Sequence, residues 1–329
     1  MFYSDLHLRP ERLADCETVL SAVGALAKKH GAVIVNGGDT FNTRGLIRTS
    51  CFDLLNSHYQ KWKKSGLRQV ILVGNHDQED KAGEIHPMRT FDGDGWIIAD
   101  KPVINTELGF AFFPYMEKER IRDFIASANK LKIKRAVVHW GIRGAKRNDY
   151  NTDTDGIPLE WLSCFDVVFS GHYHYRSILE NVHYIGSPMQ QTQQERDQAK
   201  GCLLYDDADG SIEFIPIKGT SKHHRIEIRF DGKAKPLPKI AKGDFVCAQV
   251  IGSAEECSTV SRADFDKLCD NVTIERVISE KSFSRLSIDI SDKENESGLA
   301  KKYVDFVETP LDKKRLMDTY KELVGYAIT

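Results

Sequence analysis

Histidine, aspartate and asparagine stand at the ends of short apolar runs throughout the first half of this sequence. "FYSDLHL" carries Asp5 and His7, and "AVIVNGGD" closes on Asp39. "VILVGNHD" gives Asn75, His76 and Asp77, "AVVHW" holds His139, and "VVFSGHYH" gives His172 and His174. A turn after a strand calls for glycine or asparagine, but not for an imidazole and a carboxylate beside them. Segments that repeatedly bring such groups to one edge point to a metal centre. Asp5/His7 and His172/His174 are i, i+2 pairs, which extended backbone turns to a single face. Oxygen and imidazole donors without thiolate suit Mn²⁺, Fe²⁺ or Zn²⁺ better than an all-oxygen cage does. The seven donors Asp5, His7, Asp39, Asn75, His139, His172 and His174 exceed what one ion takes from protein, whereas two ions sharing Asp39 use them all. Two carboxylates facing two divalent cations leave a field of about two positive charges, which favours a phosphate ester and an acidified water.

The elements that carry these donors are legible in the spacing. The runs at 32–36, 70–73, 136–139 and 166–170 are continuous and rich in β-branched residues, as interior strands covered on both faces should be. Between them, residues 16–30 and 47–62 repeat apolar positions at helical spacing. Alternating strands and helices predict an α/β sandwich with ligands gathered beyond the carboxyl ends of its strands.

Composition sets the outer bounds. A chain of 329 residues predicts about two domains, and 41% hydrophobic with 29% charged residues supports a sizeable core. A net charge of −2 offers no global basic field, so any nucleic-acid contact must come from local patches. Seven scattered cysteines without a C-x-x-C pair read as reduced packing thiols, as expected in the cytoplasm. The charged residues within positions 1–20 argue against a signal peptide, and no apolar run approaches the ~18 residues that span a bilayer. A soluble protein with no membrane partner is expected.

D-x-H, G-D, G-N-H-D, a lone His and G-H-x-H, in this order over residues 5–174, resemble the calcineurin-like metallophosphoesterase superfamily. The resemblance implies a four-layer α/β/β/α sandwich. It implies one ion held by Asp5, His7, Asp39 and His174, and a second held by Asp39, Asn75, His139 and His172. His76 would stand beside the phosphate without ligating, protonating the leaving oxygen or stabilising transition-state charge, and Asp77 would orient it through a hydrogen bond. "GDTFN" (38–42) and "YIGSPMQQTQQE" (184–195) further resemble the SbcD-type DNA double-strand-break repair nucleases, including phage recombination nuclease subunits. That likeness implies a homodimeric 3′→5′ exonuclease and endonuclease in DNA repair and recombination, paired with an SMC-like ATPase and located at the nucleoid of a bacterial or phage-infected cell. Its substrates would be duplex ends, hairpins and single strands. Its two ions would be Mn²⁺, with Mg²⁺, Fe²⁺ or Zn²⁺ as alternatives.

Arg9, Arg44, Arg143, Lys146 and Arg147 follow the donor motifs and are candidate phosphate contacts, which give affinity without sequence preference. The polar loop 143–156 should form one wall of the cleft. Residues 1–217 are expected to form the nuclease domain. Beyond it, residues 218–239 read as a lysine- and proline-bearing connection with His223 and His224 exposed, and 243–279 read as strand, helix, strand. This α+β capping domain, taken as 218–290, resembles the unit with which the family selects DNA. Residues 291–329 combine a polar linker with two amphipathic stripes, a helical tail resembling the family's ATPase-docking segment. The competing reading is a metallophosphatase or nucleotide phosphodiesterase acting on a small or protein substrate, for which a capping unit and docking tail have no use.

Overall fold

A computed structural model describes residues 1–80, 83–93, 95–230 and 236–278 of the chain. The expected linker and helical tail at 291–329, and the end of the expected capping domain, lie outside the described residues. Strands β1 (Phe2–Tyr3), β2 (Ile34–Asn36), β3 (Gln69–Leu72) and β4 (Ile97–Ala99) run parallel to one another. They form one sheet with β11 (Gly201–Tyr205) and β12 (Ile212–Pro216), in the order β12-β11-β1-β2-β3-β4. A second sheet has the order β5-β6-β7-β8-β10-β9. Its members are β5 (Val103–Asn105), β6 (Phe110–Phe113), β7 (Arg135–Val138), β8 (Val167–Ser170), β9 (Ser177–Leu179) and β10 (Val182–Tyr184). Strands β6, β7, β8 and β10 are parallel neighbours.

Period-two alternation assigns each side chain to a layer. Phe2, Val35, Val70 and Leu72 of the first sheet meet Phe110, Phe112, Val137 and Phe169 of the second in one buried cluster. Phe2 stacks on Phe169 with ring centroids 4.1 Å apart, across the two sheets. The alternate residues Tyr3, Ile34 and Ile71 face outward, into a cluster with Val19, Leu20 and Val23 of α1 (Leu13–His30) and Leu55 and Tyr59 of α2 (Thr49–Lys64). On the other side Ala111, Phe113, Ala136 and Val138 pack against Ile121 and Ile125 of α3 (Lys118–Lys130). The layers are therefore helix, sheet, sheet, helix. This explains why the strand runs are apolar at every position instead of at alternate ones.

A smaller sheet has the order β13-β14-β15, built from β13 (His223–Arg229), β14 (Phe245–Gly252) and β15 (Asn271–Ile278), with α4 (Ala254–Thr259) following β14. The expected connection at 218–239 is corrected here. Residues 223–229 form a full strand pairing parallel with β14, from His223↔Phe245 to Arg229↔Ile251. Nor is His223 exposed as expected. Its ring nitrogens are buried and the ring stacks on Phe245 at 4.8 Å. Lysines and prolines downstream hid a strand whose apolar positions, Ile226 and Ile228, are only two. The Arg12 guanidinium lies over the same Phe245 ring at 4.7 Å, and the Asp15 carboxylate accepts from the Ser221 N–H (2.7 Å) and hydroxyl (3.0 Å). These contacts seat the small sheet against the corner that follows the first donor motif.

Candidate metal centre

Every expected ligand lies on a loop leaving a strand. Asp5 and His7 follow β1, Asp39 follows β2 and Asn75 follows β3, all in the first sheet. His139 follows β7, and His172 and His174 follow β8, in the second sheet. Backbone bonds bind the first two loops side by side: the Asp5 N–H donates to the Gly38 carbonyl (2.9 Å), His7 to Asp39 (3.1 Å) and Leu8 to Thr40 (2.9 Å). The expectation that Asp5/His7 and His172/His174 sit on extended backbone is corrected. Asp5 (φ 55°), His7 (φ 47°), Asp39 (φ 52°) and His172 (φ 83°) occupy the left-handed region, costly for side chains with a Cβ and concentrated here at the centre. Strained turns, instead of strand alternation, aim the donors inward. The glycine of G-N-H-D has a matching cause, since a Cβ on Gly74 would lie 2.2 Å from Asp39 Oδ1.

The donor atoms converge in three sets, the middle one, His7, Asp39 and His76, sharing His7 with one neighbour and Asp39 with the other. Asp5, His7 and His174 can meet around one point, and Asp39, His139 and His172 around another. His174 Nε2 lies 2.9 Å from His7 Nε2. Asn75 Oδ1 lies 3.2 Å from His139 Nε2 and 2.9 Å from His172 Nδ1. Asp39 Oδ2 stands between the sets, 3.2 Å from His139 Nε2 and 3.8 Å from His7 Nε2. Ligands about 2.1 Å from an octahedral ion are about 3 Å from each other, which is the spacing found. The hydrogen pattern agrees. His139 Nδ1–H donates to the Gly37 carbonyl at 2.7 Å, leaving the Nε2 lone pair aimed at two oxygens. Lone pairs facing one another at 3 Å repel unless a proton or a cation lies among them. The residues present therefore fit a divalent ion in each of the outer sets, with Asp39 Oδ2 between them.

Electrostatics describe the same competition. Burial opposes a charge on His139, but the Asp39 carboxylate outweighs it and lifts the imidazole to about 9. Burial, then the nearby His139, pushes His172 down to about 3, and burial, then His174, holds His7 well below its ordinary value. His7 and His172 are thus neutral lone-pair donors, and the proton on His139 stands where positive charge is needed.

His76 is half-buried on the side of His7, with ring centroids 4.7 Å apart. Its N–H donates to Asp39 Oδ1 at 2.8 Å, and its Nδ1 donates to the Asn42 carbonyl at 2.8 Å. The expected role of Asp77 is corrected by this arrangement. Asp77 accepts from the N–H groups of Phe41 (3.0 Å) and Gly74 (3.0 Å), bracing the two loops, while Asn42 holds His76. A backbone carbonyl leaves no trace in the residue type, so no sequence signal could have found it.

Residues 1–176 of the chain match the family described as calcineurin-like phosphoesterase. The chain belongs to that family. Exonuclease subunit 1 of Enterobacteria phage T4 is 26% identical to it over 218 residues, an alignment covering 63% of this chain and 62% of the phage protein. The chain thus aligns with less than two thirds of that relative's length.

In this phosphoesterase the segment 184–195 supports the centre from behind. Glu195 Oε1 accepts from His174 Nδ1 at 3.1 Å, fixing the tautomer that presents Nε2 inward. Its Oε2 meets Lys200 Nζ at 2.6 Å, and both side chains are buried. Gln191 Nε2 donates to the carbonyls of Asp5 (3.2 Å) and Leu6 (3.0 Å), while its Oε1 accepts from Arg9 Nη1 at 2.8 Å. Glu195→Gln leaves the Lys200 ammonium buried without its partner, and is expected to lower unfolding stability by roughly 3–5 kcal/mol. Metal affinity should fall by about 10–100-fold. Adding Lys200→Met should restore stability in denaturant titrations without restoring metal affinity. Recovery of both together would show that Glu195 acts on the fold alone.

Among the phosphate candidates, Arg44, Arg143, Lys146 and Arg147 are exposed. Arg9 is half-buried against Gln191, and Arg147 Nη2 donates to Asp153 Oδ1 at 2.9 Å. Among the described residues no helix is long and apolar enough to cross a membrane.

Proposed function

We propose that the chain is the nuclease subunit of a DNA-processing complex, hydrolysing phosphodiesters at a two-ion centre with Mn²⁺ as the preferred metal. The observation that carries this reading is the chain of donor sets linked through His7 and Asp39, with Asp39 Oδ2 between His7 and His139 and the His76 N–H held by Asp39 Oδ1. Asp5, His7, Asp39 and His174 would hold one ion, and Asp39, Asn75, His139 and His172 the other. Ions so held supply charge stabilisation and an acidified water. Asn42 fixes the His76 ring through Nδ1–H and leaves Nε2 free of that bond, so a proton carried on Nε2 would be the one a leaving oxygen takes. Asp77 and Glu195 position without touching substrate. Arg44, Arg143 and Lys146, exposed on neighbouring loops, would hold the flanking phosphates.

DNA as substrate is supported by the likeness to the phage exonuclease subunit. The word subunit in that protein's name supports a partner here too, which we take to be an SMC-like ATPase, with a homodimer of this chain at the core. The small sheet would act as a cap over the cleft. Labelled duplex, hairpin and single-stranded DNA in Mn²⁺, with and without the ATPase, tests the proposal. Cutting of DNA that chelation abolishes is expected, with 3′→5′ shortening from ends. Turnover of phosphoproteins or small nucleotide esters with DNA left intact would overturn it in favour of a metallophosphatase.

A further inference from the structure

Beside His172, on the side of the centre away from His76, a cavity of about 190 Å³ opens between α3 and the loop 143–156. Tyr115, Trp140 and Tyr173 line it together with His172, and the cations Lys118 and Arg147 stand at it. It is far smaller than the roughly 300–1,000 Å³ of a drug-sized ligand site, with room for one ring system and not for a whole nucleotide.

Trp140 stacks on Phe113 at 5.4 Å and Tyr173 on Tyr184 at 5.2 Å, both buried, which leaves Tyr115 as the exposed aromatic wall. The Tyr115 ring lies nearly parallel to the His172 ring, with centroids 6.1 Å apart and planes at 27°, yet keeps 36% of its surface exposed. Its backbone is anchored, the N–H donating to the Val73 carbonyl (2.9 Å) and the carbonyl accepting from Gln78 Nε2 (2.9 Å). Trp140 Nε1–H donates to the Pro114 carbonyl at 2.9 Å. The one buried acid, Asp153, is answered within the protein. It accepts from Tyr173 Oη (2.5 Å), Arg147 Nη2 (2.9 Å) and the N–H groups of Asp155 (2.9 Å) and Gly156 (3.0 Å). Through Tyr173, which lies between the ligands His172 and His174, this network locks the loop 143–156 to the centre. What remains for a ligand is an aromatic slot with Lys118, Arg147 and Asp155 at its rim.

We infer that this cavity is a subsite for an unpaired nucleobase next to the scissile phosphate, with the Tyr115 ring as its stacking face. The inference rests on the nuclease reading and narrows its substrate. A base inside a duplex is paired and stacked, so only a frayed end, a flap or a single strand can place one here. The phosphate at the ions and the base in the slot then belong to one strand, and the selection is for base presence over base identity, since every base has a π-face.

The test uses the full chain with a single-stranded oligonucleotide carrying 2-aminopurine beside its 3′ end, bound in Mn²⁺ in the His76→Ala background to prevent cutting. Fluorescence quenching is expected with Tyr115 and with Tyr115→Phe, and its loss with Tyr115→Ala. In cleavage by the otherwise unaltered chain, the preference for that strand over the same strand abasic at this position should be about tenfold, falling to near one in Tyr115→Ala. Undiminished quenching in Tyr115→Ala overturns the subsite, as does an equal fall in cutting of both strands, which marks a structural role. Failure of the unaltered chain to cut any DNA overturns the nuclease reading with it, whereas cutting indifferent to Tyr115 overturns the subsite alone.

Discussion

Asp39→Ala is expected to strip the centre of metal and to lower phosphodiester hydrolysis roughly ten-thousandfold, with the fold retained. Asp39 is the proposed shared donor, its Oδ2 lying 3.2 Å from His139 Nε2 and 3.8 Å from His7 Nε2, and its Oδ1 holds the His76 N–H as well. One substitution thus removes a ligand from each ion and unhooks the residue nearest the phosphate. Several kcal/mol of charge stabilisation disappear, at about 1.36 kcal/mol per factor of ten. Metal content per chain by elemental analysis, beside circular dichroism, checks the claim. Two ions retained per chain would refute Asp39 as the shared donor.

His76→Ala should give the opposite signature: metal content unchanged, and cleavage of DNA reduced by about 10²–10⁴, the usual contribution of a positioned acid. His76 also lies close enough to His7 and Asp39 to serve as a third donor, so the metal measurement is decisive. An aryl phosphodiester, whose leaving group needs no proton, separates the remaining roles. If His76 is the acid, turnover of the aryl ester should suffer far less than that of DNA. An equal loss on both would make His76 a charge stabiliser, and loss of metal would make it a ligand.

The candidate donors that the structure gathers could be picked out of the sequence because chemistry constrains type as well as spacing. An imidazole or carboxylate after an apolar run has few other reasons to be there, and six of the seven expected donors fall within the three donor groups, with Asn75 in contact with His139 and His172. The sandwich was legible for a related reason, because a strand buried on both faces, such as Val70 to Leu72, cannot alternate. What escaped was carried by backbone. The left-handed turns at Asp5 and His7 use no glycine, and the Asn42 carbonyl that holds His76 is a group every residue has. The glutamines at 190, 191 and 193 read as an unremarkable polar stretch. Their amides brace the first loop and receive the small sheet, where Gln190 Oε1 accepts from the His223 N–H at 2.7 Å. Strand β13 went unread because its two inward isoleucines are flanked by charge, and its pairing partner Phe245 lies far along the chain.

The ligands are divided between the two sheets, Asp5, His7, Asp39 and Asn75 on one and His139, His172 and His174 on the other. An ion coordinated from both is a rivet through the sandwich, tightened by its own affinity. Anything that prises the phenylalanine layer apart must first pull cations from half their donors, so the energy of metal capture and the energy holding the halves shut are one quantity. Neither half alone holds the full donor set, and a chelator is therefore expected to act as a mild denaturant.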